Sequence, residues 1–273
     1  MYQAYWQLTE KPFENTLDLR FYYPSESHQA ALLKLRYALE NHAEAALVVG
    51  PPGVGKSFVV GLLRNVLGER FRPWVEVGFP QMPAEELLAY LADALETREW
   101  DSSQVPLYRS LQRIRQLLTQ AAEENRRPIV VLEDAHLMTD LGSWEAIRSL
   151  WNFSLGRRPG VSFLLTAQPS FLPLLERMPS WEDHLVVKCL LRPLNATETA
   201  AYVAHRLKAA GASRELFDEN ALDVLYQISQ GLPRRINRLA DLALLVSYAE
   251  GQEAVTADQI EAVAEELLTI TVQ

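Results

Sequence analysis

Cysteine is almost missing from this chain. Among 273 residues there is one, Cys189, so no internal disulfide can form. Its place in the apolar run Leu185-Val186-Val187-Lys188-Cys189-Leu190-Leu191 predicts a small buried residue with a structural role. Long hydrophobic stretches are missing too: nothing approaches the roughly 18 uninterrupted apolar residues of a membrane span. The start, Met1-Tyr2-Gln3-Ala4-Tyr5-Trp6, has neither the basic nor the apolar region of a secretory signal. A cytoplasmic protein is expected. Positive charge is in deficit, with 26 Lys and Arg against 35 Asp and Glu, a net charge of −9. That argues against a dedicated nucleic-acid coat, but a local basic patch could still bind DNA within a ring or filament. There is no internal repeat, no low-complexity tract and no Gly/Ser linker, so any boundary between parts is a hinge within a compact molecule.

What is present is a large apolar fraction, 48%, enough for one large core or one core with a satellite; two compact units are expected. The stretch that organises them is Gly50-Pro51-Pro52-Gly53-Val54-Gly55-Lys56-Ser57, which follows the apolar run Ala45-Ala46-Leu47-Val48-Val49 and fits G-x-x-x-x-G-K-[ST]. A loop that wraps a triphosphate must turn backbone N–H groups inward. Glycines allow this where φ is positive or where the chain approaches the phosphates closely. Lys56 offers an ammonium to the β- and γ-phosphates, the Ser57 hydroxyl can ligate Mg²⁺, and a helix starting there points its positive end at the anion. A chance glycine-rich turn would not be expected to follow an apolar strand in this way.

Around this loop the pattern alternates. Strands are expected at 45–50, 71–79, 128–133, 160–166 and 185–191, with helices at 56–67, 84–96, 106–124 and 143–154 between them. Five strands separated by helices imply a mostly parallel sheet covered on both faces, with ligand at the strands' carboxyl ends. Upstream, Ser25 or Ser27 can cap a helix from about 28 to 41. After Pro193 the periodicity is purely helical, and four helices are expected: one opened by Asn195-Ala196-Thr197-Glu198, one after Asp218, one at Pro233 and one at Thr256-Ala257-Asp258-Gln259. The expected domains are therefore an aromatic-rich segment with its helix at 1–44, packing on the nucleotide site, an α/β domain at 45–193 and a helical lid at 194–273.

Several residues would complete a nucleotide site. Ile129-Val130-Val131-Leu132 ends in Glu133 and Asp134, where one carboxylate can hold Mg²⁺ and the other polarise an attacking water, the pattern of a Walker B element. At the next strand, Gln168 is favoured over Thr166 as a polar group beside the γ-phosphate. Phe21 to Pro24, Tyr22 and Tyr23 included, can line an adenine pocket or simply pack a helix on the core. Gly231-Leu232-Pro233-Arg234-Arg235 sets cations on the first turn of a helix, against its dipole, which an anionic partner would explain. Either arginine could reach a γ-phosphate, and solvated surface arginines are the alternative.

With these elements in order, the chain resembles an AAA+ ATPase of the ExeA/GspA-like family, related to TnsC-like regulators of transposition. The resemblance rests on Leu8-Thr9-Glu10-Lys11-Pro12-Phe13, on Phe21-Tyr22-Tyr23-Pro24-Ser25-Glu26-Ser27-His28, on Gly50 to Ser57, on Ala167-Gln168-Pro169 and on the run from Gly231 through Leu245. It implies a P-loop AAA+ sheet of order 5-1-4-3-2 and a helical lid. It also implies ATP contacts from Gly50 through Phe58 and from Pro233, and Arg234 as the sensor 2 arginine, with ATP held between protomers of a ring or filament.

Three departures qualify the resemblance. The family's Asp-Glu tip is here Glu133-Asp134, so Glu133 takes the metal role with Ser57, and the shorter Asp134 takes the water. A misplacement of about 1 Å can cost on the order of a hundredfold in rate. Before the fifth strand, Asp183-His184-Leu185 stands where the family commonly has an arginine, and Arg177, Arg157 or Arg158 would have to serve. Finally, the sequence reaches Gln273 without the membrane span and cell-wall-binding region of secretion-type relatives, so a peptidoglycan-remodelling role is not expected. Slow ATP hydrolysis, with nucleotide acting as assembly glue for a homo-oligomer and a protein partner, is the leading expectation. A filament on duplex DNA, contacted by Arg126-Arg127 or Arg157-Arg158, is the alternative; a small-molecule kinase is disfavoured by the helical unit.

Overall fold

The computed structural model describes residues 2–96, 106–153 and 160–271, with the side chains of the last helix described through Leu267. The elements are α1 (Tyr2–Tyr5), α2 (Glu26–Glu40), β1 (Ala45–Val49), α3 (Lys56–Val66), β2 (Trp74–Val77), α4 (Ala84–Leu95), α5 (Leu107–Glu123) and β3 (Ile129–Leu132). They continue with α6 (Leu141–Arg148), β4 (Ser162–Ala167), α7 (Leu172–Leu175), α8 (Pro179–Glu182), β5 (Leu185–Leu190), α9 (Ala196–Ala209), α10 (Glu219–Ser229), α11 (Pro233–Ala249) and α12 (Ala257–Thr271).

By its contacts the chain divides into two units, one of residues 29–51 and 56–191, the other of residues up to His28, Pro52–Gly55 and Arg192 onward. The first is an α/β unit whose five parallel strands run in the order β2-β3-β4-β1-β5, the order expected. Sheet position is readable from the residues. The central strands β1, β3 and β4 are buried at every position, as continuous apolar runs between two covered faces must be. On edge strand β5, Val186, Lys188 and Leu190 are exposed while Leu185 and Cys189 are buried. One face of the sheet packs on α4, α5 and α6 through Leu87, Leu91, Ile114 and Trp144, where Trp144, Trp151, Trp181, Phe163 and Phe171 form an aromatic cluster. Helix α6 starts before the expected 143 because the Asp140 carboxylate accepts from the Gly142 and Ser143 N–H groups. It stops at Arg148, and a tighter turn occupies Ser149–Phe153.

The second unit is helical. Its four main helices start at the expected caps: the Asn195–Glu198 capping box opens α9 and the Asp218 carboxylate opens α10, while Pro233 occupies the first turn of α11 and Thr256 precedes α12. The aromatic N-terminal stretch belongs here. Tyr2, Trp6, Phe13 and Phe21 share a core with Leu194, Tyr202, Leu239 and Leu244. Trp6 Nε1 donates to the Leu244 carbonyl at 3.0 Å, and the buried Arg206 donates to the Pro12 and Glu14 carbonyls at 2.6 and 2.7 Å. Gly231 sits at φ +67, where a Cβ would lie 1.8 Å from the Leu194 carbonyl oxygen, so only glycine fits the turn into α11.

Candidate functional site

In the α/β unit, β1 ends at Val49 and α3 begins at Lys56. The buried Lys56 ammonium donates to the carbonyl oxygens of Gly50 and Pro51 at 2.9 and 3.2 Å. One residue on, Ser57 Oγ donates to Glu133 Oε2 at 3.1 Å. Glu133 is the first residue past β3. The parallel register that matches Leu132 with Leu165 brings Thr166 beside it, and Thr166 Oγ1 donates to the same Oε2 at 3.0 Å while accepting from the Asp134 N–H at 3.1 Å. Burial pushes the Glu133 carboxyl above its ordinary range; the two hydroxyls pull it back, and the carboxylates of Asp134 and Glu76 add to the rise.

The residue after it behaves differently. Asp134 adopts a left-handed backbone, φ 48 and ψ 45, which turns the chain sharply at the strand tip. Its side chain is half exposed, with His136 Nδ1 3.8 Å away. Of the two groups expected near the γ-phosphate, Thr166 is the one that touches Glu133; Gln168 takes part through its backbone N–H, which donates to His136 Nδ1 at 3.4 Å.

The tip of the loop, Pro52–Gly55, groups with the helical unit. There the Gly53 carbonyl accepts from the Arg234 N–H at 3.2 Å, and the Val54 carbonyl oxygen lies 2.9 Å from His28 Nε2. Pro233 and Arg234 occupy the first turn of α11, where the Arg234 side chain is exposed and has no acidic partner among the described residues. The Tyr23 ring lies edge-on to Tyr202, centroids 6.0 Å apart, and packs against the helical core; Tyr22 beside it is half-buried. The sequence pattern assigns no role to His28, which closes the run Phe21 to His28: its partner is a backbone carbonyl, which no residue type announces.

The donor set fits a magnesium nucleotide. Mg²⁺ takes oxygen ligands, commonly one or two carboxylates with substrate phosphates and water, and Ser57 Oγ and Glu133 Oε2 are hard oxygens already within hydrogen-bond distance of each other. Among the described residues no three His, Cys, Asp or Glu side chains gather as a metal site, so the protein's ligands here would be the Ser57 hydroxyl and the Glu133 carboxylate alone. When bound, the ion would screen phosphate charge, and the loop amides with Lys56 would hold the phosphates.

Of the Arg126-Arg127 candidate for DNA contact, burial removes one member: Arg127 is 5% exposed and its guanidinium donates to the Ala43 carbonyl at 2.8 Å, so it faces the interior, while Arg126 is partly exposed and pairs with Glu124. Arg157 and Arg158 lie outside the described residues. Arg177 is exposed. His184 pairs through Nδ1 with Glu44 and packs against Trp151, the rings tilted by 43° with centroids 4.3 Å apart. Cys189 is buried, its Sγ against the Ala31 carbonyl, and burial pushes its thiol up to about 11, which makes it inert.

Residues 39–175 match the family model described as an AAA domain. The chain belongs to the AAA domain family. It is also 28% identical, over 273 residues and 98% of its length, to the General secretion pathway protein A of Aeromonas hydrophila, in keeping with the ExeA/GspA-like resemblance. The chain spans about half, 48%, of that relative. Similar solved AAA+ folds include the Drosophila ORC bound to DNA, with a TM-score of 0.72 at 14% identity over 98% of this chain and 66% of that one. The Cdc6p of Pyrobaculum aerophilum gives 0.71 at 14% over 93% and 70%. The RuvB branch-migration motor of Thermotoga maritima gives 0.63 at 16% over 93% and 73%. At these identities the likeness shows the fold alone. Among the described residues no helix is long and apolar enough to cross a membrane.

Proposed function

We propose that this AAA domain protein is an ATP-dependent assembly switch. It binds Mg–ATP through Gly50 to Phe58, joins head-to-tail into a ring or filament, organises a partner complex and hydrolyses ATP slowly. The observation that carries the reading is the meeting of the Ser57 and Thr166 hydroxyls on one oxygen of Glu133, at the end of the strand beside the lysine of the loop. Glu133 and Ser57 would hold the metal and Asp134 would polarise the water. Thr166, with Gln168 nearby, would sense the γ-phosphate, Arg234 would act as sensor 2, and Tyr22 and Tyr23 would lie toward the base. Slow turnover is supported by Asp134, a methylene shorter than glutamate and half exposed, and by His184, which is engaged with Glu44 where an arginine would otherwise neutralise developing charge.

One experiment tests this: the particle mass of the purified chain with Mg–ATP, Mg–ADP or neither, with and without duplex DNA, while phosphate release is followed. Larger assemblies with ATP alone, and turnover well under one per second, are expected; for comparison, the intrinsic rate of a small GTPase lacking its arginine finger is on the order of 10⁻⁴ s⁻¹. Lys56→Ala should abolish both binding and assembly. Assembly without nucleotide, or many ATP hydrolysed per second, would overturn the respective halves. Assemblies that form only on DNA, and dissolve steeply with salt, would select the DNA-filament alternative.

A further inference from the structure

His28 stands beside the loop with both ring nitrogens engaged. The residue is 7% exposed, Nε2 is 2.9 Å from the Val54 carbonyl oxygen, and Nδ1 is 2.6 Å from Ser25 Oγ. A carbonyl oxygen can only accept, so Nε2 carries a proton and Nδ1, bare in the neutral ring, accepts from the Ser25 hydroxyl. Burial holds the imidazole below its ordinary pKa; the Val54 bond and the Glu198 carboxylate favour the cation, and Arg192 opposes it. The neutral Nε2–H tautomer is the resting form near neutral pH.

Peptide geometry gives this bond a direction. In a trans peptide the C=O and the following N–H point to opposite sides. With the Val54 oxygen turned toward His28, the Gly55 N–H is turned away from it. Likewise the Gly53 oxygen, held by the Arg234 N–H at 3.2 Å, turns the Val54 N–H away from Arg234. Gly55 lies at φ +108, and a Cβ there would stand 2.8 Å from His28 Nε2, so the ring approaches this closely only because the residue is glycine.

We infer that His28 is a positioning residue for the phosphate loop: its Nε2–H holds the Val54 carbonyl so that the Gly55 amide faces the loop interior, where a nucleotide phosphate oxygen accepts it. This rests on the nucleotide reading proposed above. His28 touches no phosphate itself; it acts through one peptide plane, and Ser25 fixes its tautomer from the other side.

The test uses the full chain, a fluorescent ATP analogue with Mg²⁺, and two polar variants. In His28→Gln the side-chain amide reaches the position of Nε2 and can still donate to Val54. In His28→Asn the amide reaches only the position of Nδ1. Affinity should fall about ten- to a hundredfold in H28N and stay within about threefold of the parent chain in H28Q, with similar nucleotide-free melting temperatures. Equal losses in both variants, or no loss in H28N, would overturn the inference while leaving nucleotide binding intact. A parent chain that does not bind the analogue would overturn the nucleotide reading and this inference with it. If neither variant folds, ¹⁵N spectra of the parent chain decide. A protonated Nε2 with a bare Nδ1 at His28, together with a Gly55 amide that shifts on adding Mg–ADP, is expected; the opposite tautomer or an unmoved Gly55 amide would refute the brace.

Discussion

At Glu133, burial and hydrogen bonding pull in opposite directions, and burial prevails. A carboxyl raised above its ordinary range keeps its proton in the folded chain at pH values where the unfolded chain has released it. Folding stability therefore falls as pH rises through that window, and the penalty is fully present above it. Glu133→Gln removes the penalty, so calorimetry of the nucleotide-free and Mg-free variant near neutral pH should give a higher melting temperature than the parent chain. On the nucleotide reading proposed above, the same substitution should abolish the stabilisation that Mg–ATP would add, which for a ligand at about a hundred times its Kd amounts to about 2.7 kcal/mol. Residue type alone carries this site only part of the way: Glu133 is legible as the residue where an apolar strand ends in acid, but nothing in the sequence favours Thr166 over Gln168. What brings Thr166 to Glu133 is the pairing of Leu132 with Leu165, and register belongs to two strands that a single sequence does not align.

Strands and helices were more legible, because periodicity and caps are local. All five strands lie within the expected stretches or within a residue of them, and the differences have local causes, such as the Asp140 cap that starts α6 early. Two elements invite direct tests. Gly231→Ala places a non-glycine residue at φ +67 against the Leu194 carbonyl. Backbone strain alone costs about 1–3 kcal/mol, and the clash adds to it, so the urea midpoint should drop sharply with the m-value unchanged. Trp181 is fully buried between Trp144, Trp151 and Phe163, its Nε1 donating to the Trp144 carbonyl at 3.1 Å. Trp181→Ala should therefore cost about 3–5 kcal/mol, measured the same way.

For the whole molecule, the parallel sheet and its helical companion followed from alternation and from the family resemblance together. The membership of each unit did not, since residues 2–23 meet partners that lie some two hundred residues away. Net charge also acts at this scale. With −9 overall and Arg127 turned inward, the nucleotide-free chain should show no retention on duplex DNA at about 0.15 M salt, checked by anisotropy of a labelled duplex; non-specific binding there rests on cationic contacts to phosphate. The long-range bond from Trp6 to Leu244 bears on synthesis as well as stability. At roughly 5–20 residues per second, the ribosome adds the stretch between Phe21 and Leu244 over about 10–45 seconds. During that time the sheet can close, while Trp6, Phe13 and Phe21 still await the helices that bury them. A nascent chain halted after Leu191 would therefore carry a finished set of strands and an aromatic leading end open to chaperones.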